Sequence, residues 1–150
     1  MKRQMKKEVI FETASNEKIA ADVYDLRLKG DCRADIRAGQ FVEVALDGFF
    51  LRRPISVCDV YGDGIRLVYK VTGKGTEYMS SLKKGDRVRA LTGLGNGFSL
   101  DKCKKTALIC GGGVGVPPLL LLAKRLIESG KNAYVALGFN SAADVMLADE

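Results

Sequence analysis

Between Glu8 and Leu91 the chain runs as six short β-forming stretches separated by turn residues, and this pattern narrows the fold more than any other feature of the sequence. Residues 8–12 and 19–28 carry β-formers in partly alternating order. Gln40-Phe41-Val42-Glu43-Val44 alternates polar and apolar side chains, as a half-buried strand must, because successive side chains point to opposite faces. Residues 54–60 and 64–71 form two more runs, joined through the turn signal Tyr61-Gly62-Asp63-Gly64, and residues 86–91 are the sixth. One short helix is expected at about 75–81. Six short strands leave exposed edges unless the sheet closes on itself, so the expected architecture is a six-stranded antiparallel β barrel.

After Gly93-Leu94-Gly95-Asn96-Gly97-Phe98 the texture changes. An apolar strand at 106–110 leads into Gly111-Gly112-Gly113-Val114-Gly115, a helix over 117–129 that Gly130 stops, and a second apolar strand at 133–137. This is one strand–helix–strand unit, whose near-continuous apolar strands suit a parallel sheet buried on both faces. A doubly wound sheet normally has five or six strands, and only two are supplied here. The expected organisation is therefore a barrel over 1–102 and an incomplete α/β domain over 103–150. A further helix is expected to begin within 144–150, and the sequence reads as part of a longer protein.

Composition excludes several chemistries. The chain has 24 basic and 18 acidic residues, a formal charge of +6, but the basic ones are scattered apart from residues 2–7 and Lys104-Lys105. Nucleic-acid binding wants a basic stripe with aromatic platforms, so no nucleic-acid partner is expected. No apolar run reaches the length of a membrane span and no cleavable leader follows the basic start, so a cytoplasmic protein without membrane contact is expected. Cys32, Cys58, Cys103 and Cys110 have neither metal-site spacing nor histidine to help them, and four free, mostly buried thiols are expected. With no histidine at all, Ser–His–Asp, Cys–His and histidine–zinc mechanisms are excluded, and any catalysis points to a bound cofactor.

Three places can carry such a cofactor. The loop at 109–118 runs from a strand into a helix start, where free N–H groups favour phosphate, although it is not a clean G-x-G-x-x-G and can equally be a tight turn. In Arg52-Arg53-Pro54-Ile55-Ser56 the proline forces Arg53 to be extended, so one arginine can enter a groove as a two-pronged phosphate donor; two ordinary surface arginines are the alternative. Val71-Thr72-Gly73-Lys74-Gly75-Thr76 again runs through glycines into a helix start, with Thr76 able to cap the helix or meet a phosphate oxygen.

Taken in order, Arg53-Pro54-Ile55-Ser56, Gly73-Lys74-Gly75-Thr76, Leu94-Gly95-Asn96-Gly97-Phe98 and the run from Gly111 to Val116-Pro117-Pro118 resemble the ferredoxin–NADP reductase-like superfamily. They are most similar to the electron-transfer subunits of NAD-dependent (class 1B) dihydroorotate dehydrogenases. The resemblance implies an FAD barrel followed by a nicotinamide-dinucleotide domain. It implies that Arg53 and Pro54 lie at the FAD pyrophosphate, Ile55 and Ser56 along the isoalloxazine, Val68, Tyr69 and Lys70 beside the flavin, and Gly75 and Thr76 at its phosphates. Gly111, Gly112, Gly113 and Gly115 would face NAD(H). Many relatives carry a tyrosine where Ile55 stands. The implied partner is an FMN-containing dihydroorotate dehydrogenase catalytic subunit of pyrimidine biosynthesis. The family's [2Fe–2S] cysteines have no counterpart here, so a cluster is expected only in a longer chain, and the chain alone is not expected to be active. A related NAD(P)H–ferredoxin or sulfide-linked oxidoreductase subunit, and a cofactor-free barrel used as a binding module, are the rival readings.

Overall fold

The computed structural model describes residues 6–31 and 36–150; residues 2–5 of the basic start and Cys32 lie outside them. The six barrel strands are β1 (Lys7–Ala20), β2 (Val23–Lys29), β3 (Phe41–Ala45), β4 (Arg53–Tyr61), β5 (Gly64–Lys70) and β6 (Arg87–Leu94). They close in the order β1-β2-β5-β4-β3-β6, with every pairing antiparallel. The alternation in β3 does what period two demands: Val42 and Val44 are fully buried while Phe41, Glu43 and Ala45 stay partly exposed. Phe11, Leu26, Leu28, Val57, Ile65 and Leu67 fill the same core.

One run divides differently from its sequence reading. Residues 19–28 are not a single strand: Ala20 pairs with Val23, so the chain reverses at Ala21-Asp22 between a long β1 and β2. Asp22 is a common turn residue, but with no glycine, proline or asparagine beside it the reversal has only a weak local signal. The hairpin at Gly62-Asp63 falls where its glycine placed it.

Helix α1 (Lys74–Ser80) follows β5, and Met79 plugs it into the barrel core. The second unit consists of β7 (Thr106–Gly112), α2 (Pro117–Glu128) and β8 (Asn132–Gly138), with β7 and β8 parallel and in register. α2 ends as its sequence predicts. Gly130 takes φ 73°, and the N–H groups of Lys131 and Gly130 bond to the carbonyls of Leu126 at 3.0 Å and Ile127 at 2.9 Å, the Schellman arrangement. Leu121 joins the barrel's own apolar cluster, while Leu120, Phe139, Met146 and Leu147 pack against Val23, Cys58 and Val68 in a second one.

Two expectations for this unit are corrected. The segment 144–150 does not start a helix: a 3₁₀ turn at Ala142–Asp144 gives way to an extended Val145 and a turn from Leu147, and Met146 is buried against the barrel. Nor is the parallel pair buried on both faces, since most of β8 is exposed and β7 buries only Ile109. Of the three described cysteines, all free, only Cys58 is buried; Cys103 is half-buried and Cys110 exposed. Among the described residues no helix is long and apolar enough to cross a membrane.

Candidate functional site

One open cleft of about 370 Å³ gathers Arg53, Pro54, Ile55 and Ser56 from β4, Val68, Tyr69 and Lys70 from β5, and Thr72 and Thr76 from the start of α1. β4 and β5 are neighbours in the barrel, so residues far apart in sequence meet on one wall. Val114, from the glycine loop of the second unit, closes the other side.

Arg53 is held firmly. Its guanidinium lies 4.9 Å from the centre of the Phe49 ring and donates to the Leu51 carbonyl. On its other side lies Gly75, where any Cβ would collide with the guanidinium. Gly75 thus leaves room for the guanidinium where it stands, and a larger residue would have to push the arginine's flexible end aside. Arg52 goes the opposite way, as an extended dipeptide should, and pairs with Glu8 at 3.0 Å.

The Thr76 hydroxyl is fully engaged. It accepts from the N–H groups of Thr72 at 2.9 Å and Gly73 at 3.2 Å, and donates to the Gly73 carbonyl at 3.0 Å. It therefore shapes the turn, and the backbone N–H is what Thr76 can offer an anion. Tyr69 is nearly buried, its ring stacked on Tyr24 at 5.9 Å and its hydroxyl donating to Asn16 at 3.3 Å. Burial pushes this phenol above its ordinary value, so it stays protonated.

The four loop glycines divide by physical cause. A Cβ at Gly111 would strike Leu119, and Gly113 needs its positive φ of 50°, whereas Gly115 has open space around it. Gly112 is nearly as open, its nearest neighbour the Gly138 carbonyl at 3.5 Å. The helix start behind them offers fewer donors than a bare terminus. Pro117 and Pro118 have no N–H, and those of Val116 and Leu119 already bond to Gly113 and Val116. An anion here would meet the loop's own backbone. The Gly95-Asn96-Gly97-Phe98 segment is structural: the Phe98 N–H bonds to the Ala38 carbonyl at 2.8 Å, and the buried Gln40 donates to the Gly95 carbonyl at 2.8 Å.

Sequence reasoning missed Val114, Thr72 and Phe49. Val114 and Thr72 lay inside motifs already singled out, so proximity was the available signal; Phe49 had none.

A closed antiparallel barrel with an arginine-and-glycine cleft and a βαβ unit packed on it is the architecture this chain shares with ferredoxin–NADP reductase-like structures. Over nine-tenths of its length the chain is homologous to the electron transfer subunits of dihydroorotate dehydrogenase B (NAD(+)). It is 42% identical to that of Streptococcus mutans over 91% of the chain, and 42% identical to that of Bacillus velezensis over 91%. The chain spans about half the length of these relatives, 55% and 56%. Among solved structures, the NADH-dependent reduced ferredoxin-NADP oxidoreductase superposes with a TM-score of 0.86 at 33% identity, over 93% of this chain and 52% of that one. Phthalate dioxygenase reductase, at 23% identity, shares the fold with a TM-score of 0.79 over 95% of this chain and 47% of its own. No protein-family model matches the chain.

Proposed function

We propose that the chain is the flavin-binding part of an electron-transfer subunit that moves electrons between NAD(H) and a dihydroorotate dehydrogenase catalytic subunit, itself carrying FMN. The observation that carries this reading is the cleft. Its cation is fixed against a glycine, apolar side chains line it, and a second nucleotide-type loop stands at its edge. The division into a flavin barrel over 1–102 and the first part of a nicotinamide domain over 103–150 belongs to the same reading, as does a cytoplasmic location.

The residues present fit an FAD. Arg53, placed between Phe49 and Gly75, is a charged donor for the pyrophosphate, with the backbone of Gly75 and Thr76 beside it. Ile55 and Val68 offer an apolar wall for a flat ring, and Ser56 and Lys70 are polar groups at its margin. Flavin, when bound, accepts a hydride and releases single electrons; the protein orients it and shapes its surroundings. Gly112 and Gly115, which packing and backbone angle leave free, are where a dinucleotide can come close. Among the described residues no three metal-ligating side chains come together, and the same reading assigns a [2Fe–2S] cluster to a longer chain.

The 33% identity to a ferredoxin-NADP oxidoreductase supports one second reading, a related reductase subunit with a different electron acceptor. The test is the visible spectrum of the purified protein, with the released cofactor identified by mass. Bound FAD is expected, and Arg53→Ala should weaken its affinity by about tenfold or more, on the strength of a charge-assisted hydrogen bond. Full flavin content in that variant would refute the role of Arg53. Dihydroorotate-dependent reduction after adding the FMN subunit separates the two readings.

A further inference from the structure

A second group of charges lies outside the cleft, where α2 covers the barrel. The Arg66 guanidinium meets both carboxylate oxygens of Asp25 at 3.0 Å, and both side chains are more than nine-tenths buried. Arg66 also bonds to Glu150 at 2.6 and 2.9 Å. Asp59, buried as well, accepts the Val60 N–H at 2.9 Å and pairs with Lys124 of α2.

Asp59 reaches α2 because β4 bulges. Val57 pairs with Leu67 but Asp59 pairs with Arg66, so Cys58 is an extra residue in the strand. Val57 therefore packs in the barrel core and Cys58 in the seam beneath α2, while Val60 returns to the core side. Bulges re-aim side chains in this way, and here the result is two consecutive residues presented to the second unit.

Buried ion pairs are a poor source of net stability, because desolvation offsets most of their attraction; apolar replacements are often as stable or more so. What a buried pair supplies is geometry, since one partner displaced leaves the other charge unpaired. The Asp59–Lys124 pair, buried at its carboxylate and half-exposed at its ammonium, joins β4 to α2 and would leave a buried carboxylate unpaired if Lys124 moved away. The same strand carries Ser56 in the cleft, and the loop leading into the same helix carries Val114.

We propose that Asp59 and Lys124, backed by the Asp25–Arg66–Glu150 group, are positioning residues that hold α2 in one register on β4 and so set where Val114 stands at the cleft. The consequence for flavin rests on the reading of the cleft as its site; the register itself does not.

The test uses the chain with Lys124→Gln, and Lys124→Arg as the conservative variant. Lys124 is half-exposed, so both substitutions should fold. Two quantities are read: the rate at which the Cys58 peptide is alkylated, followed by mass, and the visible spectrum of bound flavin. Lys124→Gln should raise Cys58 alkylation at least about tenfold through local opening, without a matching rise in global unfolding, and shift the flavin band. Lys124→Arg should keep both at their native values. Cys58 labelling at the native rate in Lys124→Gln, or rising only with global unfolding, overturns the register claim. An unchanged flavin band despite an opened seam overturns the link to Val114. A native chain that takes up no flavin overturns the cleft reading instead, and Cys58 labelling still decides the register.

Discussion

The barrel and the β7–α2–β8 unit differ in where their apolar side chains end up. In the barrel every strand is paired on both sides, and Phe11, Leu26, Leu28 and Leu67 are wholly removed from water. In the second unit Leu108 is 73% and Tyr134 65% exposed, and an apolar groove of about 570 Å³ runs along β7 and α2. The burial the second unit does achieve comes largely from α2 and the 146–147 segment lying on the barrel. Closure pairs every barrel strand on both sides, whereas the βαβ unit finds much of its burial on a neighbour.

The contrast breaks most visibly in stability. Phe11→Ala should cost about 3–5 kcal/mol of unfolding free energy in urea titration, the range for removing a buried aromatic. Tyr134→Ala, on the open face, should stay within about 0.5 kcal/mol. Comparable losses at the two sites would show that the second unit has a core of its own.

Glycine replacement sharpens the same comparison at the sites. Gly75→Ala pushes against the Arg53 guanidinium and should lower flavin affinity about tenfold, the loss of one well-placed charged donor. Gly115→Ala meets nothing within 4 Å and should leave flavin affinity alone. Flavin titrations giving equal effects would count against the separate duties of cleft and loop.

Acid produces the smallest effect. The Arg66 guanidinium bonded to Glu150 holds its carboxyl below the ordinary value of 4.5, outweighing the opposing effect of burial. A carboxylate held low adds stability that is complete above pH 4.5 and is lost as the pH falls through its lowered value. Because Glu150 is 40% exposed, the contribution should be well under ~1 kcal/mol, and Glu150→Gln should remove that part of the acid dependence of unfolding. An identical acid profile in the variant would place the contact outside the stability of the fold.

Much of the architecture was legible because it follows from local rules. Alternation marked β3, glycines marked the β4–β5 hairpin and the end of α2, and the Arg53–Ser56 and Gly73–Thr76 motifs do meet in one cleft. What escaped depends on pairing between distant segments. The Ala21-Asp22 reversal is fixed by strand register rather than by turn residues, and the bulge at Cys58 exists only relative to β5. Arg66, set between Ile65 and Leu67 in an apolar run, did carry a warning, since a charge at such a position needs a buried partner. Which partner, Asp25, only the β2–β5 pairing reveals.

The bulge also settles the chemistry of a sulfur atom. Burial in the seam pushes the Cys58 thiol up to about 12, outweighing the pull of Arg66 in the other direction. At neutral pH Cys58 is then held as the thiol rather than the thiolate, the form that oxidants attack. Two residues from the Ser56 that lines the cleft, the protein keeps a sulfur in its less reactive, protonated form.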